Sequence, residues 1–528
     1  MNEQKIQLII PMSGSGKRFV DAGYVDPKPL IEVDGKPIIA HVIDMFPGVA
    51  DIIFICNQEH IENTEMEGVL KRYCPTGKII TIPKHKKGPV YAVSQVFNEI
   101  DEERPVIVSY CDYGTVWDFN GFLDAVEGFD GAIPCYTGFH PHMLGSDNYA
   151  FCKEDDGVLL EIKEKEPFTD NKMSEFASNG TYYFKNGALV KTYFQKLIDL
   201  DISLKEEYYV SLVYNLLVED GYKIRIFEID KMLQWGTPYD LEIYKGWSKY
   251  FSNIAHVKEE EEIQNTTLVL PMAGKGDRFT QEGFKTPKPL IEVDGLPMVV
   301  KAVECLPRSK NETFICLQEH VEHYGLSDTI HNHYPEANIT TIDNVTEGQA
   351  CTCEIGIVSS EIDPESPILI SACDNGVHYD ADEYLSLVKN EDNDVIVWSF
   401  RNNQTSKINP NMYSWLDVDQ HNNILSVSCK KFTKENPLEE HAIIGTMYFR
   451  KAKYFLEGLK KNYEENVRTN GEFYVDDVIN QNIKSGLTVK VFEVENYICW
   501  GTPNDYKTYN YWQEFFDKSS HNPFRISF

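Results

Sequence analysis

Leu8-Ile-Ile-Pro-Met-Ser-Gly-Ser-Gly-Lys-Arg-Phe19 is the stretch that decides the architecture, because it returns 260 residues later as Leu268-Val-Leu-Pro-Met-Ala-Gly-Lys-Gly-Asp-Arg-Phe279. Further out, Pro27-Lys-Pro-Leu-Ile-Glu-Val-Asp-Gly35 recurs unchanged as Pro287 to Gly295, and Gln58-Glu59-His60 as Gln318-Glu319-His320. Trp235-Gly236-Thr237-Pro238 recurs as Trp500-Gly501-Thr502-Pro503, now 265 residues on. A repeat of this size is far longer than a solenoid unit and can bury its own core. The expected organisation is therefore a duplicated domain: residues 1–257 and 266–516, joined by an acidic linker at 258–265 and followed by a tail, 517–528, with no assigned role. Each half is expected to fold on its own.

Within each half, short apolar runs such as Gln7-Leu-Ile-Ile10, Asp51-Ile-Ile-Phe-Ile55 and Pro105-Val-Ile-Val-Ser109 alternate with longer amphipathic stretches such as Pro89 to Glu99. That alternation predicts an α/β protein whose mostly parallel sheets carry helices on both faces. Ligands of such sheets bind beyond the carboxyl ends of the strands, so residues just after each strand carry the chemistry.

Composition narrows the class. Of 528 residues, 42% are hydrophobic and 25% charged, which excludes wholesale disorder. Eighty-two acidic against 50 basic residues give a net charge of -32, a poor match for nucleic acid or anionic lipid. No apolar run approaches the length of a membrane span, and Leu8 to Met12 is too short for a signal peptide, so a cytoplasmic protein is expected. The twelve cysteines show no zinc-site spacing and are expected to be reduced, with Cys56 and Cys316 in buried strands.

Glycines directly after a strand, Gly14 and Gly16 or Gly274 and Gly276, let the backbone approach a phosphate closely. The loop is neither a Walker A motif, which would need a glycine at Pro11 and a hydroxyl at Arg18, nor a dinucleotide fingerprint, which fails at Phe19. Lys17 is replaced by Asp277, whereas Arg18 and Arg278 recur and present a fork suited to a diphosphate. In Pro27-Lys28-Pro29 and Pro287-Lys288-Pro289, two prolines stiffen the backbone around one lysine, as a rigidly placed cation for a triphosphate requires.

Gly-x-Gly-x-Arg after the first strand, Pro-Lys-Pro-Leu and the Val-Asp-Gly-x-Pro turn together resemble the sugar-1-phosphate nucleotidyltransferase family across almost all of each half. The resemblance implies two tandem three-layer α/β/α Rossmann-like domains with mixed, mostly parallel sheets. It implies that Gly14, Gly16, Arg18 and Lys28, with Gly274, Gly276, Arg278 and Lys288, hold the triphosphate, and that Gly88 and Gly348 lie in loops contacting the base. Asp112 and Asp374 would hold Mg2+, although Cys111 and Cys373 stand where the family has glycine. Glu164, Lys165 and Gly180 would bind the acceptor, as would Lys430 and Gly445. Cys429 replaces the second glutamate, which implies a different acceptor pocket or a partly decayed second site. A second metal-binding aspartate is missing, its positions taken by Gln234 and Cys499.

The expected partners are a nucleoside triphosphate and a phosphorylated small molecule, a sugar 1-phosphate foremost, in sugar-nucleotide and polysaccharide biosynthesis. Assembly into a homo-oligomer stays open. The expected reaction is Mg-assisted direct displacement by the acceptor phosphate, with release of pyrophosphate. The alternatives are one catalytic half beside a ligand-binding or structural half, a cytidylyltransferase for a non-sugar phosphate, a glycosyltransferase-like protein, and a sugar-nucleotide-binding protein. Gln-Glu-His60 and Gln-Glu-His320 read as helix starts, and His140 and His142 as acceptor contacts.

Overall fold

The computed structural model describes residues 6–145, 147–254 and 264–518. Among them, one compact unit takes in the chain up to Phe251 together with the residues from Tyr511, and a second takes in Ser252 to Asn510. The expected linker lies outside the described residues as far as 263, and Gln264 and Asn265 already belong to a strand. Asp517 lies in a helix, and the expected tail beyond 518 falls outside the described residues.

The first unit is built on strands β1 (Gln7–Met12), β2 (Asp51–Asn57), β3 (Lys78–Ile82), β4 (Val106–Ser109), β5 (Gly131–Tyr136), β6 (Ala150–Asp155), β7 (Val158–Glu164), β8 (Phe176–Ser178), β9 (Thr181–Phe184) and β10 (Ile224–Glu228). They form one ten-stranded sheet in the order β8-β6-β7-β10-β5-β9-β4-β1-β2-β3. The block β4-β1-β2-β3 is parallel. Beyond it β9 runs antiparallel to β4 and β5, β10 is parallel to β5, and β6, β7 and β8 add an antiparallel extension.

The apolar runs become central strands because both of their faces are covered. Along β1, Leu8, Ile10 and Met12 join one core and Ile9 the other; along β2, Ile52, Phe54 and Cys56 separate in the same way from Ile53 and Ile55. Period-two alternation thus feeds two helical layers from uninterrupted apolar sequence. Helices Ile38–Asp44 and Phe119–Ala125 cover the first face; Gly88–Ser94, Gly187–Asp199 and Val210–Glu219 cover the second. Tyr511, Trp512 and Phe515 complete the first of these cores, with Trp512 set 5.6 Å from the Tyr244 ring.

The second unit repeats the plan with β11 (Gln264–Met272), β12 (Ser309–Leu317), β13 (Asn338–Ile342), β14 (Ile368–Ile370), β15 (Val395–Phe400), β16 (Trp415–Val418), β17 (Ile424–Ser428), β18 (Ala442–Phe449) and β19 (Val489–Glu493). Its main path is β13-β12-β11-β14-β18-β15-β19, with β16 paired to β17 and β18. Leu268, Leu270 and Met272 again face one core and Val269 the other. Cys56 and Cys316 are fully buried in β2 and β12.

Candidate active site

Both sites begin at the carboxyl end of the first strand. After β1 the chain crosses Ser13 and Gly14 to Gly16, whose φ of 57° is the left-handed conformation that glycine adopts at least cost; Gly276 does the same at 68°. Ser13 is buried and its Oγ lies 2.9 Å from His85 Nε2, a contact that no sequence motif announced. Arg18 and Arg278 leave this loop exposed and form no ion pair among the described residues.

The proline-framed lysines sit in single 3-10 turns, Lys28–Leu30 and Lys288–Leu290. Behind each turn a two-residue hairpin reverses at Asp34-Gly35 or Asp294-Gly295, where all four residues have positive φ. Such a turn matches the twist of its strands, and Asp-Gly suits it. In the first unit Asp34 is anchored by the hydroxyls of Tyr244, at 2.7 Å, and Ser248, at 2.5 Å. The backbone that presents Lys28 is therefore held from behind.

Lys28 Nζ donates to Asp112 Oδ2 at 2.6 Å, and Lys288 Nζ to Asp374 Oδ2 at 2.5 Å. The four side chains are 21–25% exposed, enough for a ligand to reach them and little enough to weaken screening by water. Burial opposes the charge on Lys28, yet the Asp112 carboxylate holds its pKa above the ordinary lysine value; Asp374 does the same for Lys288.

Asp112 is placed by β4, which it follows, and by a small antiparallel pair, Tyr113–Val116 with Lys231–Gln234, that sets Gln234 opposite Tyr113. A methyl group at Gly236 would stand 3.0 Å from both Asp112 Oδ2 and Gln234 Oε1. The glycine thus keeps open a space lined by two oxygens. In the second unit the matching space at Gly501 is lined by Asp374 Oδ2 at 3.0 Å and Cys499 Sγ at 3.3 Å. Burial, with Asp505 and Asp374 nearby, pushes the Cys499 thiol far above its usual range, so it stays protonated.

Glu164 and Lys165, expected to bind the acceptor, lie at the end of β7. Glu164 accepts from Ser211 Oγ at 2.6 Å, and burial raises its pKa against the pull of Ser211 and Lys165. Lys165 has φ of 60° and Lys430 of 50°, a strained backbone for a lysine that the surrounding fold must impose. Lys165 Nζ reaches Tyr209 Oη at 2.5 Å. Burial, aided by Arg18 and Lys205, lowers its pKa despite Glu164 and Glu207. The field of Arg18 is felt at Lys28, Lys165, Tyr209 and Asp240, so the glycine-rich loop, the lysine turn and the end of β7 share one locality. Asp240 was legible only as a nearby acid; burial raises its pKa to about 6, opposed by Thr237 and Arg18.

Other predicted residues have packing reasons of their own. A Cβ on Gly88 would stand 2.7 Å from the Tyr208 nitrogen, and one on Gly348 2.6 Å from that of Phe473. Gly180, at φ 99°, faces the rings of Tyr110 and Tyr113, and Gly445, at φ 88°, faces Ala372. His140 and His142, read as acceptor contacts, sit among aromatic rings. They pack with Tyr136, Tyr149 and Tyr511, and burial lowers both pKa values, to about 4 for His140. An aromatic core holds them neutral.

Residues 8–155 match the family profile of the MobA-like NTP transferase domain. That span therefore has the pattern of an NTP transferase domain. The matched span runs from β1 to β6 and contains Arg18, Lys28 and Asp112. The chain is 24% identical over 237 residues to the bifunctional protein GlmU of Methanococcus maripaludis, which is 44% of this chain and 52% of that protein. It thus spans about half the length of that curated relative. Among solved structures it is similar to a nucleoside-diphosphate-sugar pyrophosphorylase from Vibrio cholerae RC9, with 20% identity, 45% of this chain, 99% of that one and a TM-score of 0.38. It is likewise similar to the inositol-1-phosphate CTP transferase from T. maritima, with 15% identity, 48% of this chain, 97% of that one and a TM-score of 0.37.

Proposed function

We propose that the chain transfers a nucleotidyl group from a nucleoside triphosphate to the phosphate of a small acceptor, a sugar 1-phosphate foremost, and releases pyrophosphate. The observation that carries this reading is the lysine–aspartate pair after the fourth parallel strand, built alike in both halves from a proline-framed turn. Acceptor phosphate is ionised at neutral pH, so the chain need supply no general base. Its task is alignment and charge neutralisation. Lys28 exchanges Asp112 for the triphosphate, Arg18 swings from solvent onto the same charge, and Lys165 holds the acceptor phosphate. Lys288, Arg278 and Lys430 take these tasks in the second half.

A divalent cation fits the first half, where Asp112 and Gln234 offer hard oxygen ligands around the space that Gly236 leaves open. When bound, Mg2+ would neutralise charge on the phosphates. Among the described residues no three His, Cys, Asp or Glu side chains form a metal cage, so the remaining ligands would be water and phosphate. Asp374 offers one carboxylate in the second half, but the protonated thiol of Cys499 suits Mg2+ poorly. That contrast favours a second reading in which the first half carries the greater share of turnover.

Among the described residues no helix is long and apolar enough to cross a membrane. The test is a pyrophosphate-release screen of four nucleoside triphosphates against phosphorylated acceptors. Absence of release with every pair would refute the reading.

A further inference from the structure

In both units one asparagine clamps the acceptor strand to the helix beside it. Asn215 bonds the backbone N–H and C=O of Ile162, each at 2.9 Å, and Asn480 bonds Val427 in the same way at the same distances. The clamp fixes the correspondence of every neighbouring position. Two residues further along the strand lie Glu164 and Cys429; one turn earlier on the helix lie Ser211 and Asp476.

In the first unit the strand supplies the acid and the helix the hydroxyl, with Ser211 Oγ 2.6 Å from Glu164 Oε2. In the second unit the helix supplies the acid. Asp476 Oδ2 accepts from Ser414 Oγ and lies 4.0 Å from Cys429 Sγ. Simple decay of the site would have left a neutral contact. Instead the carboxylate has crossed from strand to helix, and it still stands beside a lysine whose backbone is left-handed. Burial pushes the Cys429 thiol up to about 12, so the strand position adds no second charge.

We infer that Asp476 is the acceptor-recognising carboxylate of the second half, and that it selects a phosphate ester bearing several hydroxyl groups. The inference rests on the proposed function and sharpens it. Asp476 is only 7% exposed, so its charge is costly unless hydrogen-bond donors surround it. Ser414 supplies one donor, and burial still raises the pKa of Asp476 against Lys430 and Ser414. A polyhydroxylated acceptor supplies further donors, whereas phosphocholine has no hydroxyl to offer. Asp is one methylene shorter than Glu and starts from the opposite element, so the two halves would read different hydroxyls and prefer different acceptors.

The experiment uses the full chain carrying Lys28→Ala, so that turnover comes from the second half. Hexose 1-phosphates and inositol 1-phosphate are the probes, with phosphocholine as the hydroxyl-free control. Asp476→Asn should raise the KM of the preferred acceptor about 10- to 100-fold, the scale of a lost hydrogen bond to a charged group, with kcat and the triphosphate KM within about threefold. The exchange Cys429→Glu with Asp476→Ser, which rebuilds the first-half pair, should restore acceptor binding and shift preference toward the acceptor of the first half. A purely structural role would not move that preference. An unchanged acceptor KM in Asp476→Asn, or phosphocholine as the best substrate, overturns the inference. If Lys28→Ala loses all turnover while the parent is active, the two-site reading fails instead, and binding of the same probes is then followed by calorimetry on that chain. Tenfold weaker binding of a hexose 1-phosphate in Asp476→Asn upholds the inference; unaltered or absent binding overturns it.

Discussion

Replacing Lys28 by alanine removes the ammonium from a contact of 2.6 Å whose two side chains are 21% and 25% exposed. Two effects follow, and they separate experimentally. In the free protein Asp112 loses its partner. A fully buried pair broken in this way costs roughly 3–5 kcal/mol and an exposed one less than about 1, so this partly exposed pair should cost ~1–3 kcal/mol in urea unfolding. In turnover the loss is larger. One preorganised charge-assisted contact to a developing anion is worth roughly 2.7–4 kcal/mol, or about 100- to 1,000-fold in rate. Lys288→Ala removes an equivalent contact of 2.5 Å and should cost the same at its own site. Pyrophosphate release from the two single variants and the double variant gives the answer. Two equal sites sharing one substrate leave each single variant about half the rate and the double variant about 1% or less. A single working site leaves one variant dead and the other near normal. The first half is expected to be the more active, because Gln234 offers oxygen where the second half has Cys499. Full activity in the double variant would refute the mechanism, whatever the unfolding data show.

Turnover should require a divalent cation, and excess chelator should abolish it; undiminished release in chelator would remove Asp112 and Asp374 from any metal role. Gly236→Ala places a methyl 3.0 Å from both Asp112 Oδ2 and Gln234 Oε1, and displacing them by even part of an ångström should slow the first half up to about 100-fold with little change in melting temperature. Asp240 ionises near 6 in the fold against 3.8 ordinarily, so the native state favours its protonated form and loses stability as pH rises from about 4 to about 6. Asp240→Asn should therefore stabilise the protein at pH 8 by ~1–3 kcal/mol, less at pH 5 and hardly at all at pH 4; urea titrations at the three values check the trend. A fragment of residues 1–257 lacks Tyr511, Trp512 and Phe515, and should melt well below the same unit in the full chain by calorimetry.

The sequence repeat, the central apolar strands and the proline-framed lysine turns were legible because they rest on local rules. Apolar runs such as Leu8 to Met12 can only be central strands, and Pro27-Lys28-Pro29 fixes its own backbone. What escaped needed distances across the chain. Ser13 meets His85 from 72 residues away, and Lys28 meets Asp112 from 84. Asp476 could not be matched to Glu164 by aligning the repeats, because a carboxylate that changes elements leaves a gap at one position and an unrelated acid at another. The surroundings of His140 and His142 escaped for the same reason: the rings of Tyr136, Tyr149 and Tyr511 that pack against them include one from 371 residues further along the chain.

The first unit's core ends on residues that the ribosome makes only after the second unit. The strands of its sheet are complete by Glu228, but Tyr511, Trp512 and Phe515 emerge only after the second unit. Domains otherwise fold in order as they are synthesised. Here the nascent first unit must wait, with an apolar face uncovered, while some 260 further residues are added. At ~5–20 residues per second that delay is roughly 13 to 52 s. The closing contact spans a loop whose entropy cost grows only logarithmically with length, so the link is thermodynamically cheap and kinetically late. A chain truncated anywhere before Tyr511 leaves that face open, which makes an incomplete translation product a substrate for chaperones and proteases.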